Sequence, residues 1–172
     1  MTETIPVVDL SDFLSENSAK RNQFAEQLGT AYETVGFVSV KNHGIPDELI
    51  KELYDKVQRF FSLPLSKKTN YEISGLAGQR GYTSFGKEHA KGSDAPDLKE
   101  FFQFGQIIDN ETVKDKFNYP DNVDVKESDG FKKTLEIVYR YFEKSGAYLL
   151  KAIALYLHLP ENYFDEHIRN GN

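Results

Sequence analysis

An α+β fold, helix-rich with a few strands, is what the 172-residue sequence predicts, and three observations carry that reading. The first 64 residues alternate β-branched runs with 3.6-period apolar stripes, in the order β-α-β-α. A glycine-punctuated stretch without helical period fills the middle, and a long unbroken apolar stripe returns near the end. A chain of this length can bury roughly two thirds of its unfolded surface, so one domain over residues 1–172 is the expectation.

Residues 5–10 are a short β-branched run opened by Pro6, and Asp9, Ser11 and Asp12 follow with turn and cap chemistry. Over 19–35 the apolar positions Phe24, Leu28, Ala31 and Val35 step by four, three and four along one helix face. Gly36 stands where a left-handed residue would stop that helix. Residues 37–41 form a second β-rich run. Asp47 then caps a helix whose stripe is Ile50, Leu53, Val57 and Phe60 and which ends near Pro64. Between 70 and 97, Gly75, Gly78, Gly81, Gly86 and Gly92 punctuate a polar segment that reads as a long loop. Residues 99–108 carry Phe101, Phe102, Phe104, Ile107 and Ile108 and read as a strand, and 110–127 as loop. Ser128 caps a long helix with Phe131, Leu135, Val138, Phe142, Leu149, Ile153 and Leu157 on one stripe. Pro160 breaks it, leaving room for a last helical turn within 161–168.

Composition narrows the function classes. A 39% hydrophobic share, with 13 Phe, 10 Tyr and no Trp, predicts a core built on rings. The net charge is -6 and the lysines and arginines are mixed among carboxylates, so no basic stripe is offered to nucleic acid. The start has no basic segment leading into an apolar one, and no run approaches the ~20 apolar residues that span a bilayer. A cytoplasmic protein without a membrane partner is the expectation. With no cysteine, disulfides, thiolate metal sites and a cysteine nucleophile are excluded.

A mononuclear iron site wants two imidazoles and a carboxylate, most compactly as His and Asp two apart on a strand. None of the four histidines (His43, His89, His158, His167) has Asp or Glu two residues later, and none has another histidine three or four away. No Gly-x-Ser-x-Gly elbow exists, and the turn after the first strand, Ser11-Asp12-Phe13, lacks a phosphate-binding glycine fingerprint. No catalytic or metal-ligating residue is therefore assigned. His43 lies in the turn before Pro46, where an imidazole fixes local backbone, and the structural role is preferred to a catalytic one. Arg80-Gly81-Tyr82 offers a guanidinium and a phenol on a glycine-flexible loop, a pairing able to grip an anionic or polar ligand. Its alternative is a solvated arginine beside a packed tyrosine.

In order along the chain stand Ile5-Pro6-Val7-Val8-Asp9-Leu10, Gly36-Phe37-Val38 through Asn42-His43-Gly44-Ile45-Pro46, Phe60-Phe61-Ser62-Leu63-Pro64 with Lys67-Lys68, Arg80-Gly81-Tyr82, Lys99-Glu100-Phe101-Phe102 and Leu157-His158-Leu159-Pro160-Glu161. This ordered set resembles the N-terminal region of the isopenicillin N synthase-like superfamily of non-haem Fe(II)/2-oxoglutarate-dependent dioxygenases. The resemblance implies a helix-rich N-terminal domain joined, in the full-length family, to a double-stranded β-helix (jelly-roll) barrel. In that barrel a His-x-Asp pair with a distal His binds iron, and an Arg-x-Ser binds 2-oxoglutarate. None of the five arginines here is followed two residues on by serine.

The resemblance further implies a parent enzyme that consumes 2-oxoglutarate and oxygen at Fe(II), releases succinate, and hydroxylates, desaturates or cyclises a small-molecule substrate. The part present would cover the barrel and contact substrate, with Arg80, Tyr82 and Phe102 as candidates by position and Ser84 and Lys99 as poorer ones. The barrel is expected to be missing from residues 1–172, which alone would be inactive and bind neither Fe(II) nor 2-oxoglutarate. The alternative is a stand-alone binding or regulatory module of the same descent.

Overall fold

The computed structural model describes residues 4–89, 91–92, 95–108, 112–113 and 119–169, and among these the chain is mixed helix with a few strands and no closed barrel. It divides into two compact units, residues up to 46 with those from 140 onward, and residues 47–139.

In the first unit β1 (Val7–Asp9) leads directly into α1 (Leu10–Phe13), and α2 (Ser18–Thr34) precedes β2 (Ser39–Lys41). The two strands pair in parallel, Val7 with Ser39, Val8 with Val40 and Asp9 with Lys41. Asp9 anchors this corner. Its Oδ1 accepts from Ser11 N–H at 3.0 Å and Ser11 Oγ at 2.6 Å, and both of its oxygens accept from Asn42 Nδ2 at 2.9 Å. Hydrogen bonds from Ser11 and Asn42, helped by Lys41, hold the Asp9 carboxyl far below its usual range. The turn it grips keeps Asn42 at φ 53°, a left-handed conformation that asparagine tolerates better than most residues.

Asn17 caps α2, its Oδ1 accepting from Ala19 N–H at 2.9 Å and Lys20 N–H at 3.3 Å. At the far end Gly36 takes φ 81° and returns its N–H to the Ala31 carbonyl at 3.1 Å, the stop that its position in the sequence predicts. The core of the unit gathers Val8, Leu10, Phe13, Phe24, Ala25 and Leu28 against Ala152, with Leu149 and Ile153 packed on them. These last three lie on the C-terminal part of α5 (Phe131–Tyr156). That helix closes on His158 at φ 57°, with Leu159 N–H on the Ala154 carbonyl at 2.8 Å and His158 N–H on that of Leu155 at 3.0 Å. α6 (Asp165–Ile168) follows within the short turn expected after Pro160.

The second unit holds α3 (Asp47–Phe61), α4 (Leu65–Lys68), a 3₁₀ turn (Thr69–Tyr71), β3 (Gly81–Thr83), β4 (Phe101–Gln103) and the first turns of α5. Phe60 is fully buried at its centre, with ring centroids of Phe61, Tyr71, Tyr82, Phe102 and Phe131 between 5.0 and 5.9 Å away.

Three sequence expectations are corrected here. The loop read at 70–97 contains β3, because Gly81 at φ 75° lets the chain pass so near the Tyr71 carbonyl that any Cβ would collide with it, and so enter an antiparallel pair. The strand read at 99–108 is regular only over Phe101–Gln103. Beyond it, Gly105 N–H and C=O pair with the Asn122 side-chain amide at 2.8 and 2.9 Å, a side chain standing in for a neighbouring strand. Ser128 does not cap α5: its Oγ is buried without a partner among the described residues, and Asp124 Oδ1 takes the Lys132 N–H at 3.0 Å. Of the loop read at 110–127, residues 110–111 and 114–118 lie outside the described residues.

Gly29, midway along α2, faces Tyr156 so closely that a Cβ would overlap the ring carbons. Gly29→Ala should therefore lower stability by about 1–3 kcal/mol despite alanine's better helix propensity, as read by chemical denaturation. Combining it with Tyr156→Leu should recover most of the loss.

Candidate functional site

The antiparallel register places Gly81 opposite Gln103, Tyr82 opposite Phe102 and Thr83 opposite Phe101. Tyr82 and Phe102 are therefore cross-strand partners on one face, and both rings pack on Phe60, at 5.7 and 5.0 Å. Arg80, immediately before β3, is only 3% exposed. Its Nη1 donates to the Gln79 carbonyl at 2.7 Å, and the guanidinium fills the space that the missing side chain of Gly105 leaves, since a Cβ there would overlap Arg80 Cζ. Burial draws the Arg80 pKa below its usual value, against the opposing influence of Tyr139 and Tyr119.

Of the residues singled out from sequence, the structure brings together Tyr82 and Phe102 and packs Arg80 on Gly105. Ser84 donates its backbone N–H to Glu72 Oε1 at 3.2 Å, and Lys99 pairs with Glu88 at 2.5 Å and Asp97 at 3.7 Å while lying over the Phe101 ring.

Sequence reasoning missed the group that organises these strands. Glu100, just before β4, accepts from Lys68 Nζ at 3.0 Å through Oε1 and at 2.7 Å through Oε2, and it also accepts from the Tyr82 hydroxyl. Lys68 donates in addition to the Phe61 carbonyl at 3.2 Å and stands over the Tyr82 ring, 5.6 Å from its centroid. Burial would raise the Glu100 carboxyl, but the hydrogen bonds from Lys68 and Tyr82 outweigh it and hold Glu100 below its ordinary 4.5. Burial first, and the same hydrogen bond second, push the Tyr82 phenol well above its usual value, so it stays a donor. A second tyrosine repeats the pattern: Tyr71 donates to Glu127 and accepts from Lys126 N–H at 3.0 Å. Lys68 and Glu100 both stand in the ordered set of motifs that carries the resemblance, but they are 32 residues apart and no local periodicity connects them as a pair.

Next to β3, Tyr82 and Thr83 also line a cleft of about 350 Å³ whose other walls are residues of the 73–78 segment and Glu72, Lys87 and Glu88. Among the described residues no group of three or more His, Asp or Glu is placed to hold a metal ion. His43 serves its own turn, its Nδ1 accepting from Ile45 N–H at 3.1 Å while its carbonyl accepts from Ser145 Oγ at 2.8 Å.

Residues 5–127 match the family model described as "non-haem dioxygenase in morphine synthesis N-terminal". A 1-aminocyclopropane-1-carboxylate oxidase of Dictyostelium mucoroides is 32% identical over 168 residues, 94% of this chain and 45% of that protein. Proline hydroxylase buaE of Petromyces alliaceus is 33% identical over 164 residues, 91% of this chain and 49% of that one. Among solved structures, a putative 2OG-Fe(II) oxygenase family protein from Caulobacter crescentus superposes with a TM-score of 0.82 at 32% identity, covering 99% of this chain and 54% of that chain. A full-length Neurospora crassa protein in complex with alpha-KG gives 0.75 at 25% identity, over 94% of this chain and 49% of that one. The chain thus spans about half the length of the relatives it matches.

Since Glu100 titrates lower in the folded chain than its ordinary 4.5, its contribution to stability is complete above that pH and is lost as pH falls through the folded value. Glu100→Gln should flatten that acid limb in urea unfolding measured from about pH 7 to about pH 3. Lys68→Met, which leaves the carboxylate buried with Tyr82 alone, should cost about 3 kcal/mol at neutral pH.

Proposed function

The chain belongs to the family of non-haem dioxygenase N-terminal domains, and from that membership we propose that it is the substrate-covering part of an Fe(II)/2-oxoglutarate-dependent oxidoreductase acting on a small molecule by hydroxylation, desaturation or ring closure. The observation that carries this is the superposition of nearly the whole chain on about half of a 2OG-Fe(II) oxygenase family protein. Family membership and fold alone do not fix a reaction, so the site residues decide what can be assigned to this chain.

Here those residues do not fit the cofactors. No histidine and carboxylate come together in a metal-binding group among the described residues, and no Arg-x-Ser exists in the sequence. No oxidation step is therefore derived from this chain, and iron and 2-oxoglutarate would be held by the remainder of the parent enzyme. Alone, the 172 residues are inactive. The partner this reading requires is the catalytic barrel. Its support is a two-stranded sheet that leaves Val7, 61% exposed, and the neighbouring Phe37, 69% exposed, without cover among the described residues.

Within the covering part, Tyr82 has the best claim to act near substrate, because it lines the cleft beside β3 while its hydroxyl is fixed by Glu100. Phe102 and Arg80 would act through the strands and turn they hold.

Incubated with Fe(II), 2-oxoglutarate and oxygen, the 172-residue chain should form no succinate above a protein-free blank, and a parent chain carrying a His-x-Asp segment should form it. Succinate from the short chain would overturn the proposal. In such a parent, Tyr82→Phe should raise the substrate KM by about tenfold through the loosened β3, a binding loss of about 1.4 kcal/mol. Unchanged KM and kcat would remove Tyr82 from the site.

A further inference from the structure

We propose that the cavity walled by α1, the turn after β2 and the middle of α5 binds a small aliphatic carboxylate. It lies wholly within the first unit and shares no residue with the Tyr82 cleft, so it goes beyond the reading above and stands or falls apart from it.

A break in the sequence pattern opens the space. The apolar stripe of α5 runs through Phe131, Leu135, Val138 and Phe142 and resumes at Leu149, so the helical period calls for a large apolar side chain at 145 or 146. Ser145 and Gly146 stand there instead. Ser145 lines the cavity and spends its hydroxyl on the His43 carbonyl at 2.8 Å, which ties the turn to the helix. What remains is about 110 Å³, against the roughly 10–15 Å³ that a single water needs. Gly44 lines the same cavity at φ 81°, and a Cβ there would meet nothing within 4 Å, so the turn leaves the way in clear.

The walls select the ligand. None of the nine lining residues is acidic, although the chain as a whole has a net charge of -6. Lys144 supplies a cation that has no ion pair among the described residues. His43 adds a neutral donor: its Nδ1 accepts from Ile45 N–H at 3.1 Å, which leaves the ring proton on Nε2. Tyr141 and Tyr148 stand three residues before and four after Lys144, on the same face of α5, and their hydroxyls make no hydrogen bond to the described residues. A carboxylate accepts from a cation and from several neutral donors at once, whereas an ammonium ligand would meet only the repulsion of Lys144. Leu10, 1% exposed, and Leu14 make the apolar side, which would take a short alkyl tail and gives a bare inorganic anion nothing.

The probe is sodium propionate, titrated at neutral pH into the ¹⁵N-labelled 172-residue chain, with propionamide and sodium phosphate as controls at equal ionic strength. Propionate should shift the Gly44 and Ser145 amides saturably, and neither control should saturate over the same range. Lys144→Met, at an exposed side chain, should weaken propionate binding by about fivefold or more with Tm nearly unchanged. Ser145→Leu, which restores the apolar stripe into the cavity, should abolish the saturable shift of the Gly44 amide. The proposal is overturned by the absence of a saturable propionate shift, by propionamide or phosphate saturating as readily, or by wild-type affinity in either variant.

Discussion

Phe60 is the contact on which the second unit depends. Rings from the helix end beside it, the 3₁₀ turn, each strand of the β3–β4 pair and the start of α5 meet its edges and face. Each such pair adds about 0.5–1.5 kcal/mol to the apolar area it buries. The pairs are also coupled, since moving one ring opens space against the others. Two strands of three residues are too short to persist in water, and what keeps β3 and β4 paired is the ring that both lean on.

That apolar shelter makes the Glu100 network consequential. In water, a glutamate accepting from a lysine and a phenol would gain little, because each group already has solvent partners. Against the Phe60 cluster, solvent is largely excluded and the same contacts define a single arrangement of α4, β3 and the lead-in to β4. A charged pair of this kind adds less to net stability than to uniqueness: sliding β4 by one residue would carry Glu100 away from Lys68 and leave two charges without partners. Packing chooses the place, and hydrogen bonding chooses the register.

The long elements are legible in the sequence because their signal is periodic and local. Phe24, Leu28 and Ala31 on α2, and Phe131, Leu135 and Val138 on α5, repeat at helical spacing, and both helices lie where the stripes put them. Gly36 and His43 are readable too, since a helix stop and a turn bond involve neighbours in the chain. What escapes depends on distance along it. β3 hides in a glycine-rich segment because a three-residue strand leaves no pattern without its partner, and that partner is far on in the chain. Asp124 displaces Ser128 at the start of α5 through a loop whose path no stripe describes. Arg80 and Tyr82 stand out as a pair able to grip a ligand, but their burial follows from Gly105 and Phe60, neither of which is near them in sequence.

Tyr71 and Tyr82 each donate a phenolic hydrogen bond to a carboxylate, Glu127 and Glu100. Such a tyrosine loses its proton readily once excited and emits weakly. With ten tyrosines and no tryptophan to mask them, the chain carries its own optical reporter. Loosening of the β3–β4 pair frees Tyr82 from Glu100, and release of the 3₁₀ turn from the segment before α5 frees Tyr71 from Glu127, so local opening around Phe60 becomes visible as a brightening of tyrosine emission, without label or substitution.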